Sequence, residues 1–442
     1  MKNNIFNVIS NKMKGKRNFI TSMIILAFLY FVIGFVSWVN SILIPYFKIV
    51  CELTEFWSYL VAFAFYIAYL FMSLPAGLLM KKIGFKRGMV IALLFLAVGA
   101  FIFIPAAMTR IYGVFLLGLF IMGTGMAILQ TAVNPFVTII GPIDRAVPRM
   151  SIMGVCNKFA GIVSPLIFAA LILKASDKAL FEALPTMTEM AKSVALDELT
   201  RRMMFPYAGL GVLLLIAATV VRYSALPDIN PEEESEEVAA SHKGKTSVLQ
   251  FPYLVLGIIA IFTHVGTQII SIDTIINYGQ TMGLDLLDAK VLPVYTLTAT
   301  IIGYFFGIFC VPRLVSQTNT LRMCTMLGLL FSILILIVPG SMMFKGHEIS
   351  LSIWFVMLLG LPNALVYAGI WPLAIRDLGR FTKLGSAMLI MALCGNGIFP
   401  LIYGHFAETM GNRAAYWVLL PCYSYLVFYA VYGHKIKNWT RQ

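Results

Sequence analysis

The chain has 442 residues, 60% of them hydrophobic and only 12% charged, about half the charge share of a soluble protein, so a water-soluble multidomain enzyme is excluded. The net charge of +13 reads as topology rather than as a nucleic-acid surface, because basic residues of helical membrane proteins collect in loops that stay inside the cell. Apolar runs of about 20 residues, the length that crosses about 30 Å of hydrocarbon, place the chain among all-α membrane proteins.

Residues 1–18 are polar and basic, lack a small-residue cleavage site and read as a retained cytoplasmic tail. Twelve apolar spans follow, near 19–45, 57–80, 88–109, 111–140, 149–173, 203–224, 250–279, 290–312, 320–342, 350–375, 383–407 and 414–433. The first six form an N-terminal bundle over 19–224 and the last six a C-terminal bundle over 249–434, before a cytoplasmic tail at 435–442. Between the bundles, 225–248 carries Pro227, Pro231, the acidic run from Glu232 to Glu237, then Lys243 and Lys245, which predicts a flexible cytoplasmic linker. The outer segment 174–202 alternates charges and predicts a short surface helix. With both termini inside, the inner segments hold 22 of the 33 Lys and Arg and the outer segments 10, the bias expected of a multi-pass protein in a bacterial cytoplasmic membrane.

Six cysteines lie at Cys51, Cys156, Cys310, Cys324, Cys394 and Cys422 without metal-ligand spacing, so no metal or other cofactor is expected. A shift of 232 residues lays Gly34, Ser41, Ile44 and Tyr46 over Gly266, Asp273, Ile276 and Tyr278. The segment Cys156-Asn157-Lys158 through Pro165-Leu166-Ile167 likewise matches Cys394-Gly395-Asn396 through Pro400-Leu401-Ile402 with a small gap. Two six-helix pseudo-repeats are the arrangement of major facilitator transporters, which work by alternating access. Between spans two and three, Gly77 to Gly88 carries Lys81, Lys82, Lys86 and Arg87 among glycines. That loop resembles the superfamily's signature, although Lys81 stands where the pattern has Asp.

The strings Val39-Asn40-Ser41-Ile42-Leu43-Ile44-Pro45, Ser73-Leu74-Pro75-Ala76-Gly77, Leu129-Gln130-Thr131-Ala132-Val133-Asn134-Pro135-Phe136-Val137, Gly141-Pro142 and Arg376 to Ser386 together resemble the fucose permease group of sugar:cation symporters. Gln130 is similar to the glucose/galactose branch, where the proton-coupled fucose branch has Glu. Ser41 likewise replaces a carboxylate of the fucose branch, so the proton route of that branch is not inherited. The resemblance implies a major facilitator fold and uptake of a neutral, glucose- or galactose-like hexose by a monomer.

An ionisable group deep in the bilayer costs about 2.5–3.5 kcal/mol on insertion scales, so each one is a functional candidate. Lys158 and Asp273 are the two charged residues well inside the spans. Hexose recognition needs amides for the hydroxyls and aromatic faces for the C–H surface. Gln130 and Asn134 are four residues apart and share a helix face beside Pro135. Asn157 and Lys158 lie in span five, His264, Gln268 and Asp273 in span seven, and Asn363, Tyr367 and Trp371 at intervals of four in span ten. Asn396 sits between two glycines in span eleven, and Trp38 and Asn40 lie near the outer end of span one.

For the driving ion, the preferred expectation is Na+ at Asp273 with Ser271, Thr274 or Gln268 as oxygen donors; H+ on Asp273 is the second. Uniport with Lys158 as a built-in cation is a third expectation, and Lys158 as counter-charge for an anionic sugar a fourth. Nothing in the chain resembles a phosphate-binding loop, and its five histidines are scattered, so neither ATP-driven transport nor enzyme chemistry is expected.

Overall fold

The computed structural model describes residues 2–53, 55–142, 145–172, 183–224, 246–284, 291–344 and 346–439, with isolated positions at 174, 177, 180, 226 and 289. Side chains are described from Phe19 onward, leaving out 40–42, 44, 45 and 48 in the first helix. Asn40 and Ser41 therefore have side chains outside the described residues, as does nearly all of the predicted linker 225–248.

Helices carry almost the whole fold, because a backbone in hydrocarbon must satisfy its own hydrogen bonds. Helix α1 runs Lys2–Val50, α2 Glu55–Thr109, α3 Tyr112–Ile139, α4 Ala146–Ile172, α5 Glu189–Arg202 and α6 Met204–Tyr223. The remainder comprises α7 Pro252–Asp273, α8 Ile275–Thr281, α9 Leu292–Cys310, α10 Gln317–Ile337, α11 Ser352–Leu358, α12 Gly360–Ile375, α13 Thr382–Met391, α14 Gly395–Met410, α15 Asn412–Ala415 and α16 Leu419–Val431. Among the described residues ten helical stretches are long and apolar enough to cross a membrane. One of these, Leu60–Thr109, contains two spans, and α4 adds a further 27-residue helix, which reconciles ten with the twelve expected. Large apolar side chains such as Phe71, Leu78, Leu213 and Phe309 are exposed, as suits a surface covered by lipid.

The basic loop between spans two and three is reduced to a single break in α2 at Gly84, with φ 79° and ψ 170°. A residue with a Cβ is strained at that φ, so the glycine sets the position of the break. Span seven is likewise interrupted at Thr274, and span eleven at a 3-10 turn over Ala392–Cys394, just before Asn396. The apolar run expected to end span nine at 342 instead leaves the helix at Ile337 and enters a two-stranded antiparallel hairpin, β1 Ser341–Phe344 paired with β2 His347–Ser350. Gly340 at φ 100° and Gly346 at φ 86° make that departure inexpensive.

The chain divides into two compact units, residues 1–133 with 159–229, and residues 134–158 with 230–442. In the first, aromatic packing fills the core: the Phe103 and Tyr207 rings stack 3.8 Å apart, and Phe47 and Phe115 close around Phe103. Helix α5 is tied down by Tyr46 Oη donating to the Leu199 carbonyl at 2.6 Å and by ion pairs from Arg110 to Asp197 and from Lys192 to Glu52. In the second unit α9 and α12 approach so closely that a side chain at Gly360 would collide with the Thr296 carbonyl. That contact is what brings the polar face of α12 into the interior of the unit.

Candidate functional site

The second unit gathers most of the polar residues singled out above, each for a local reason. Pro135 has no N–H and interrupts the hydrogen-bond ladder of α3. Its neighbour Asn134 is buried, and its Nδ2 donates to the phenol oxygen of Tyr367 at 2.7 Å. Past the proline, the end of α3 is held by Arg149 at the start of α4. The guanidinium donates to the carbonyls of Val137, Thr138, Gly141 and Pro142 at 2.9, 2.7, 3.3 and 3.0 Å. This clamp sets where α4 begins and hence where Asn157 and Lys158 fall, between two and three turns later. Asn157 is half-buried there.

On α12, Asn363, Tyr367 and Trp371 recur every four residues and form one stripe, as their spacing predicts. The Tyr367 and Trp371 rings stack with centroids 5.5 Å apart, and the His264 ring of α7 lies 6.4 Å from Tyr367. Asn363 Oδ1 accepts from Tyr423 Oη at 2.7 Å and from Thr267 Oγ1 at 3.4 Å. Three buried polar atoms of this cluster, His264 Nδ1, Asn363 Nδ2 and Trp371 Nε1, have no hydrogen-bond partner among the described residues. An unsatisfied buried polar atom costs about 1–3 kcal/mol. Three such atoms stand together with the stacked rings of Tyr367 and Trp371.

Beside the stripe, Lys158 is buried and its Nζ donates to Gln268 Oε1 at 3.5 Å. Asp273, at the end of α7, is exposed. Ser271 and Thr274, the other expected ion ligands, are buried on either side of it in the chain. The Ser271 hydroxyl donates to the Gln268 carbonyl at 2.8 Å, and that of Thr274 to the Ile270 carbonyl at 2.7 Å while also meeting Tyr416 Oη at 2.9 Å. Asn396 is half-buried in the first turn of α14, where Gly395 packs against the backbone of Phe262 on α7.

Gln130 and Trp38 belong to the first unit. There Gln130 Nε2 donates to Tyr69 Oη at 2.8 Å, and the half-buried Trp38 indole lies over Gly161. Tyr69, Thr267, Tyr423 and Arg149 were not among the expected site residues. Nothing in their local sequence marks them, since each acquires its role from a partner on another helix.

The family model of the Major Facilitator Superfamily matches residues 26–401. A glucose/galactose transporter of Brucella abortus is 33% identical over 432 residues, covering 97% of this chain and 98% of that protein. The L-fucose-proton symporter of Escherichia coli is 29% identical over 403 residues, covering 90% of this chain and 89% of that protein. A crystal structure of the transporter FucP in the outward conformation superposes with a TM-score of 0.79 at 24% identity, over 93% of this chain and 98% of that one.

Proposed function

The chain belongs to the Major Facilitator Superfamily, and on that premise we propose that it carries a neutral hexose of the glucose or galactose type across the membrane by alternating access. The observation that supports this reading best is the cluster of Asn134, His264, Asn363, Tyr367 and Trp371, in which stacked aromatic rings adjoin three unsatisfied polar atoms. A hexose offers several hydroxyls that donate and accept, and an apolar C–H face that packs on aromatic rings. Asn157 and Asn396, half-buried on α4 and α14, are further amides suited to the same ligand. Because the three atoms are buried, they meet a sugar only when the surrounding helices part, as a carrier's conformational cycle provides.

A neutral substrate also agrees with the charges. Lys158 donates to the neutral amide oxygen of Gln268 at 3.5 Å, so its ammonium has a partner without an anionic sugar. The names of the Brucella abortus and Escherichia coli relatives fall in the same sugar class. The basic bias of the inner segments supports a cytoplasmic-membrane location with both termini inside, and the monomer is taken as the working form.

The test is uptake of a panel of labelled hexoses in a transport-deficient bacterial strain, against a panel of uronic and sialic acids. The reading expects neutral hexoses to enter faster than in the empty strain. Uptake of the acids alone would overturn it.

A further inference from the structure

A side-chain amide can serve a ligand as donor or as acceptor, and its neighbours decide which. Asn363 on α12 is buried, and its Oδ1 is already taken: Tyr423 Oη on α16 donates to it at 2.7 Å, with Thr267 Oγ1 of α7 further off at 3.4 Å. The Thr267 proton goes to the His264 carbonyl at 2.8 Å, so Tyr423 is the main partner of the amide. That phenol is fully buried, and a buried O–H must find an acceptor. The network therefore sets the amide with its oxygen toward Tyr423 and its NH2 group away from it.

The phenol itself has little freedom. Its ring lies against α10 at Gly328, where a Cβ would stand 2.1 Å from the Tyr423 Cε1 atom, a contact that leaves no room for a larger residue at 328. At the other end of the amide, Asn363 Nδ2 is buried without a hydrogen-bond partner among the described residues. The second unpartnered donor on α12, Trp371 Nε1, has no acceptor capacity either. At Asn363 and Trp371 the stripe thus offers protons rather than lone pairs.

We propose that Tyr423 is a positioning residue that makes Asn363 a one-way contact: Nδ2 donates to one hydroxyl oxygen of the hexose, and the carrier selects for a hydrogen-bond acceptor at that ring position. The inference rests on the hexose reading above. A hydroxyl replaced by hydrogen leaves the amide donor unpaired, whereas a hydroxyl replaced by fluorine keeps an acceptor and loses only a proton that Asn363 has no means to receive. Without the Tyr423 hydroxyl the amide is free to turn, and the selection relaxes.

The experiment uses the full chain in proteoliposomes and reads how well deoxy and deoxyfluoro analogues of glucose and galactose, altered at each non-anomeric hydroxyl in turn, compete with the labelled parent hexose in exchange. For the native chain, one ring position is expected at which the deoxy analogue binds about tenfold more weakly than the parent while the deoxyfluoro analogue stays within about threefold. In Tyr423→Phe the deoxy penalty at that position shrinks to about threefold or less, and penalties at the other positions stay as they were, which a merely loosened bundle would not produce. In Asn363→Ala that penalty disappears, and adding Tyr423→Phe to it changes affinity for the parent less than about twofold, because the two residues act through one contact. The native chain alone can overturn the inference, by showing no such position or by rejecting the fluoro analogue there as strongly as the deoxy one. A Tyr423→Phe protein that exchanges hexose with the native deoxy penalty overturns it as well. If the native chain exchanges no hexose at all, the hexose reading fails and this assignment falls with it, a result distinct from exchange without the position-specific loss.

Discussion

The Asn134 side-chain amide donates to the phenol oxygen of Tyr367 at 2.7 Å, joining residues 233 positions apart in the chain. The contact draws the proline-interrupted part of α3 onto the polar stripe of α12, next to the stacked Trp371 indole. Asn134 therefore ties the end of α3 to the aromatic pair, and on the proposed function its amide also meets the sugar. Asn134→Ala is expected to weaken hexose binding about tenfold, or about 1.4 kcal/mol, and Tyr367→Phe less, because the ring stack survives. Tracer competition on purified protein checks both; equal, small effects would deny the contact its orienting role.

Trp371 is fully buried with Nε1 unpartnered. Trp371→Phe keeps an aromatic face and removes an unsatisfied donor, so it should leave the melting temperature unchanged or higher while hexose affinity falls. Trp371→Ala should lower stability by about 3–5 kcal/mol through the cavity it leaves. Thermal unfolding with and without sugar separates these outcomes. A Trp371→Phe protein with undiminished affinity would show that the indole N–H never meets the ligand.

Arg149 reaches four carbonyls at the end of α3. Arg149→Met leaves those acceptors without their guanidinium and is expected to cost about 2–4 kcal/mol, read as a fall in melting temperature. Lysine, a single point donor, should restore only part of it.

Outside the membrane, Asp177 pairs with Arg202 at 2.8 Å and accepts the backbone N–H of Lys174 at 2.8 Å. Burial alone would raise its carboxyl, but the Lys174 N–H and the Arg202 guanidinium outweigh it and hold the group below the usual carboxylate range. The ionised form thus favours the folded state. Its contribution is complete above the unfolded-state value of about 3.9 and is lost as the pH falls through the lower folded-state value. Asp177→Asn should be less stable than the native chain at pH 7 by about 2 kcal/mol, and the gap should close in strong acid. A gap independent of pH would contradict the assignment.

How much of this was legible beforehand depended on the range of the interaction. The spans, the turn at Gly84 and the stripe Asn363, Tyr367, Trp371 follow from runs, glycine and a four-residue interval, all local signals. The pairs that complete the cluster, Asn134 with Tyr367 and Asn363 with Tyr423, join helices far apart in the chain, and no periodicity reports them. Residues two apart on a helix point about 200° apart, so Ser271 is buried while Asp273 is exposed. The hairpin after α10 was hidden because Met342, Met343 and Phe344 extend an apolar run, while Gly340 marked the true exit.

The central claim, a carrier for neutral hexoses, is tested most directly by counterflow. Purified protein in vesicles preloaded with unlabelled galactose is given labelled glucose or galactose outside, and the label inside is followed with time. The account predicts a transient overshoot above the equilibrium level for the hexoses, diminished in Asn134→Ala and absent from protein-free vesicles. Traces for both hexoses that match those of protein-free vesicles, from a protein that is folded and inserted, would contradict it.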